Sequence, residues 1–96
     1  MFLAMIVSFR HKGLRRFFEE DDRRGINAEH VSKIAQILLL LNSANALEGM
    51  EVPGFRTHRL QGDLKDFHAV TVRANWRIIF RFDDGNAFDV DLVDYH

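Results

Sequence analysis

The 96-residue chain has no cysteine, which excludes a disulfide framework and any thiolate metal site and fits a reducing cytosol. Its one proline, Pro53, lies in a stretch that also holds two of the six glycines, NSANALEGMEVPG. No repeat, linker or low-complexity segment interrupts the rest, so one domain spanning 1–96 is expected. Long apolar runs are also missing. IAQILLLLNSANAL is too short to cross a bilayer. The opening MFLAMIVSF has no basic residue before it and no small-residue cleavage site after it, unlike a secretion signal. A soluble cytoplasmic protein with no membrane partner is expected.

A charge excess of one sign is lacking too, since the formal net charge is −1. That argues against indiscriminate coating of nucleic acid. The balance conceals an asymmetry. Residues 55–81 carry Arg56, Arg59, Lys65, Arg73, Arg77 and Arg81 against Asp63 and Asp66, whereas 83–96 carry five aspartates and no lysine or arginine.

What is present is a clear change of period. MIVSF at Met5 to Phe9 predicts a short strand ending at Arg10-His11-Lys12. Leu14, Phe17 and Phe18 recur as one helical face that Gly25 would end. Asn27 can cap a second helix from Ala28 to about Leu41, whose apolar positions Val31, Ile34, Ala35, Leu38 and Leu41 are widened by Ile37, Leu39 and Leu40. That helix should be buried on more than half its circumference. After the Pro53 loop, with one helical turn around Ala46, period two governs Arg56–Leu60, Phe67–Val72, Trp76–Phe82 and Ala87–Val93. A strand, two helices and a run of strands predict an α+β fold, with the helices packed on one face of a mainly antiparallel sheet.

Burial selects the register. A three-residue loop at Asp84-Gly85-Asn86, with a glycine bulge, pairs Phe82 with Phe88, Phe80 with Val90 and Ile78 with Leu92, and sets Arg81 opposite Asp89. The same reasoning at Arg73-Ala74-Asn75 pairs Val72 with Trp76 and Val70 with Ile78. Arg77 then faces Val93, and the chain continues only three residues to His96. An imidazole near guanidinium groups makes a phosphate site with a titratable member.

SFRHKGLRRFFE, HRLQGD, VTVRANWRIIFRF and the terminal DYH, in that order, resemble the HigB toxins, a branch of the RelE superfamily. The resemblance runs from Met5 over essentially the whole chain. Relatives tend to begin near that residue, which makes Met5 a candidate initiator and Met1–Ala4 an upstream start. The resemblance implies a RelE-like fold and a ribosome-dependent mRNA endoribonuclease of a type II toxin–antitoxin pair. It acts without metal or cofactor in the ribosomal A site of the 30S subunit. Its antitoxin is a HigA-like helix-turn-helix protein, through which alone it meets operator DNA. Carried over by position, His58, Arg77, Tyr95 and His96 are catalytic. Arg77 stabilises the phosphorane, and one of His58 and His96 serves as base and the other as acid or phosphate ligand, in either assignment. Arg59, Gln61, Lys65, Arg73 and Asp94 are expected to bind RNA.

Gln61 departs from the pattern, because relatives carry lysine there and a neutral amide cannot offset phosphate charge. A toxin-fold protein of weak or lost activity, which mainly binds its antitoxin and co-regulates the operon, is therefore the alternative. For Arg81 the bland expectation is a cross-strand pair with Asp89. His11, His30 and His68 show no metal-ligand spacing and are expected to be structural. Glu19-Glu20-Asp21-Asp22 with Arg23-Arg24 is expected to be a solvated helix end.

Overall fold

Helix α1, Lys12–Glu20, starts where His11 takes an extended backbone and its Nδ1 accepts from the Leu14 N–H at 3.0 Å. The computed structural model describes residues 5–43, 58–60, 62, 66–83 and 86–94. The expected turn near Ala46, the start of the second predicted strand at Arg56, and the Met1–Ala4 segment lie outside them. Leu14 and Phe17 are buried on the inner side of α1. The helix ends at Asp21, whose φ of 54° turns the chain left-handed, and not at Gly25 as its sequence suggests. Aspartate tolerates that conformation because its short polar side chain finds local partners. The Glu19–Arg24 stretch is solvated, as expected. Arg23 pairs with Asp21 and Arg24 with Asp22, and the Arg24 hydrogen bonds hold the Asp22 carboxyl well below the ordinary range.

Gly25 serves a different need. A Cβ there would lie 2.9 Å from the Gly13 Cα, and one on Gly13 would lie 2.8 Å from the Gly25 oxygen. The loop after α1 therefore lies backbone against backbone on the start of that helix. Asn27 then caps as expected, its Oδ1 accepting from the Glu29 N–H at 2.9 Å. A 3-10 turn at Ala28–His30 leads into helix α2, Val31–Ser43. Ile34, Ile37, Leu38 and Leu41 of α2 are fully or nearly fully buried, whereas Leu39 is 67% exposed. Ala35 is exposed as well, so the buried stripe is narrower than the run of leucines suggests. One helix lying on a flat sheet has only one face to bury.

The sheet contains β1 (Met5–Ile6), β2 (His58–Arg59), β3 (Phe67–Arg73), β4 (Trp76–Asp83) and β5 (Asn86–Asp94) in the spatial order β1-β5-β4-β3-β2. β1 pairs with β5 in parallel, continued by a parallel bridge between Phe9 and Val90, whereas the β2–β3, β3–β4 and β4–β5 pairings are antiparallel. Val70, Val72, Ile78, Phe80, Ala87 and Val90 meet both helices in the main core, as the α+β reading requires. The opposite face carries a smaller cluster of Leu60, Phe67, Ala69 and Ile79, with Val93 against it. β4 is the central strand, and Ile78, Ile79 and Phe80 are consecutively buried at its middle, Ile79 by the smaller cluster on the face away from the helices.

Both hairpins close more tightly than burial alone predicts. Asp83 pairs with Asn86 and Phe82 with Ala87, so the connection is the two residues Asp84-Gly85, themselves outside the described set. The extra residue sits further along, at Asp89 in β5, with a φ of 54°. Beyond that bulge Ile78 faces Leu92 and Arg77 faces Val93, as expected. The bulge is stabilised from the first strand. The Asp89 N–H donates to Ser8 Oγ at 2.9 Å and the Val90 N–H to the Ser8 carbonyl at 3.0 Å. The first hairpin behaves alike: Val70 faces Ile78, but Arg73 faces Trp76, the register shifting between Thr71 and Arg73. Phe88 is consequently opposite Arg81 and not Phe82.

Gly25→Ala should destabilise the chain by about 1–3 kcal/mol, the usual cost of forcing packed atoms apart. The displacement of the chemical-denaturation midpoint measures it, and an unchanged midpoint would show that the backbones separate freely.

Candidate active site on the open face of the sheet

Alternation along β4 directs Ile78 and Phe80 to the helices and leaves Arg77, Ile79 and Arg81 for the other face. Arg77 stands in a cross-strand row with Thr71 of β3 and Val93 of β5. Its guanidinium Nη1 donates to the Ala74 carbonyl and, at 3.1 Å, to the Trp76 carbonyl. The tight turn, with Ala74 at a φ of 51°, presents those oxygens. Among the described residues no carboxylate pairs with Arg77. Neutral dipoles orient it, and among the described residues nothing cancels its charge.

The other arginines of this hairpin are engaged differently. The shift near Val72 carries Arg73 toward the helical side, where its Nη1 meets Glu29 Oε2 at 3.1 Å. It is therefore not brought together with Arg77. Arg81 pairs with Asp89 at 2.9 Å, as expected, and lies 5.6 Å from the centre of the Phe88 ring. Both contacts are substantially exposed and should contribute little to stability.

His58 of β2 pairs with Ala69, which pairs with Ile79, two residues from Arg77 on β4. Two strand spacings of about 4.8 Å separate the His58 and Ile79 backbones. Arg59 pairs with His68, in the adjoining row. Asp94 is exposed at the end of β5, opposite Trp76. Gln61, Lys65, Tyr95 and His96, and the side chains of His58 and Arg59, lie outside the described residues. Connectivity puts His96 three residues after Val93, the partner of Arg77.

The remaining histidines have structural surroundings. His11 caps α1. His30 is buried with its ring 5.8 Å from Trp76, and His68 stacks on Phe80 at 5.8 Å. Two features escaped the sequence reading. Thr71, beside Arg77, has a buried Oγ1 without a hydrogen-bond partner among the described residues. Arg10 lies 5.1 Å from the centre of the Phe67 ring. Continuing the alternation one residue past the core residue Phe9 would have placed Arg10 on the open face. Two grooves near α1 and α2, of about 610 and 330 Å³, are lined by residues such as Phe17, Asp21 and Ala35 and do not touch this site.

The site is thus an arginine on the sheet face opposite the helices, held by backbone carbonyls and paired with no carboxylate among the described residues, an arrangement that suits an anion. Residues 7–96 match the family described as the RelE-like toxin of type II toxin–antitoxin system HigB. The chain is 38% identical to the Endoribonuclease HigB of Proteus vulgaris over 96% of its own length and 100% of that protein. It is 32% identical to Toxin HigB-1 of Vibrio cholerae serotype O1, over 92% of this chain and 95% of that one. The crystal structure of a point mutant of YafQ from E. coli shares the fold, with a TM-score of 0.61 at 15% identity, over 95% of this chain and 92% of that one. The protein belongs to the HigB-like toxin family.

Thr71→Val should leave stability unchanged or raise it by up to about 1 kcal/mol, because it removes a buried hydroxyl without a partner. A lowered denaturation midpoint would mean that the hydroxyl has a partner in solution.

Proposed function

We propose that this chain is a ribosome-dependent mRNA endoribonuclease that works by in-line attack of the RNA on itself. The 2′-oxygen bonds to the adjacent phosphorus as its proton passes to a base. The bond from phosphorus to the 5′-oxygen then breaks as an acid protonates that oxygen. The products are a 2′,3′-cyclic phosphate and a free 5′-hydroxyl, with no change of oxidation state. Arg77 carries this reading, being a cation whose anchors are carbonyls and whose charge no described carboxylate cancels. Aimed at the equatorial phosphate oxygens, it stabilises the charge that grows in the phosphorane.

His58 and His96 divide the proton transfers, since imidazole changes protonation near neutral pH. Tyr95 assists at the reacting oxygens, and Arg59, Gln61, Lys65 and Asp94 border the RNA. Arg73 contributes only if its bond to Glu29 opens. Membership of a toxin–antitoxin family supports an antitoxin as partner, and we assign a HigA-like helix-turn-helix protein. Entry into the ribosomal A site in the cytoplasm supplies the positioning of the RNA. Gln61 alone favours a second reading, in which the chain binds antitoxin and cuts poorly.

The test is a brief pulse of expression in bacteria without the antitoxin, followed by mapping of new mRNA 5′ ends. New ends should appear only in translated frames. Arg77→Ala should lower cleavage by roughly 10²- to 10³-fold, the usual cost of losing one donor to a transition-state oxyanion. His96→Ala should lower it by roughly 10²- to 10⁴-fold, as for loss of an acid or base. Intact mRNA with folded native protein would defeat the enzyme reading, and recovery in Gln61→Lys would then assign the silence to one missing charge.

A further inference from the structure

The open face holds a second cationic position that the cleavage chemistry does not use. Arg10 follows the bridge between Phe9 and Val90, and its N–H donates to the Val90 carbonyl at 2.9 Å. Its side chain crosses to β3 and lies over Phe67, 5.1 Å from the ring centre. Phe67 opens the row Phe67–Arg81–Phe88, in which Arg81 in turn lies by Phe88. Two guanidinium groups and two phenyl rings thus share one end of the face. They differ in charge balance. Asp89 neutralises Arg81 at 2.9 Å, while no carboxylate pairs with Arg10 among the described residues. The nearby Asp91 carboxylate is turned to its own backbone and accepts from the Leu92 N–H at 2.9 Å.

A guanidinium held over a ring by cation–π attraction has its position restrained, and among the described residues its N–H groups have no carboxylate to bind. That is a preorganised phosphate ligand, because little side-chain freedom is left to lose on binding. Its row lies four residues along β4 from Arg77, about 13 Å at the rise of a strand. A short run of single-stranded RNA backbone covers that distance. We propose that Arg10, braced by Phe67, is a second phosphate-binding position. It grips the RNA backbone a few nucleotides from the bond that Arg77 attends. This inference rests on the RNA-cleavage reading above.

The experiment measures binding of a 2′-O-methyl RNA 12-mer, which cannot be cut, by fluorescence anisotropy over a range of salt. The native chain is compared with Arg10→Met, which still covers Phe67, and Arg10→Lys, which keeps the charge. Arg10→Met should bind roughly five- to tenfold more weakly. The slope of log K against log salt should become shallower by about 0.7, the value for one phosphate contact to a single strand. Arg10→Lys should retain the slope. Equal affinity and slope in Arg10→Met and the native chain would overturn the proposal and leave Arg10 as a cover for Phe67. No binding by the native chain would overturn it as well. A parallel arm with an RNA duplex of the same length separates message from folded ribosomal RNA, and dependence on Arg10 in the duplex alone would also count against it. Arg77→Ala cleavage, read separately, tells a failure here from a failure of the nuclease reading.

Discussion

Strand β4 has to serve two masters on alternate residues, with Ile78 and Phe80 closing the core under the helices and Arg77, Ile79 and Arg81 forming the opposite face. A slip of one residue would exchange those faces, burying guanidinium groups and exposing isoleucine and phenylalanine. Desolvating an unpaired charge costs far more than any single contact in this small domain contributes. The parity of β4 is thus the condition on which the neighbouring strands depend. Each meets it by taking up one additional residue, near Val72 in β3 and at Asp89 in β5. The αL conformation at Asp89 and its hydrogen bond from N–H to Ser8 Oγ tie that correction to the beginning of the chain.

The sequence revealed the order of elements and the pairing of Ile78 with Leu92 and Arg77 with Val93, because burial on one face tolerates no other phase. It did not reveal where the surplus residue would go. A three-residue turn and a two-residue turn with a bulge bury the same side chains beyond the irregularity, and the hydroxyl that favours the bulge belongs to a residue 81 positions away. Gly25 looked like a helix stop, since local pattern cannot distinguish a glycine needed for its φ from one needed for its lack of a Cβ. The exposed Leu39 shows a similar limit: four leucines in a row fix a helix but not how much of its surface finds a partner.

Of the site, the position of Arg77 was legible and its surroundings were not. Alternation puts Arg73, Arg77 and Arg81 on a common face, and the shift at Val72 removes Arg73 to Glu29. What distinguishes Arg77 from Arg81 is the kind of group that steadies it. A carboxylate holds Arg81 and cancels it, while among the described residues only carbonyl dipoles hold Arg77. No residue count carries that difference. It arises from a turn tight enough to bring backbone oxygens within reach of a side chain that starts two residues later.

The pairing of β1 with β5 joins Met5 to Asn86, far apart in sequence. Contacts so far apart in sequence form late, after shorter loops have closed. During synthesis the emerging chain has its first strand and both helices, but the partner of that strand is still to be made. The sheet can be completed only once β5 has been made. The row that joins Arg77 to Val93 is therefore among the last parts of the molecule to be assembled.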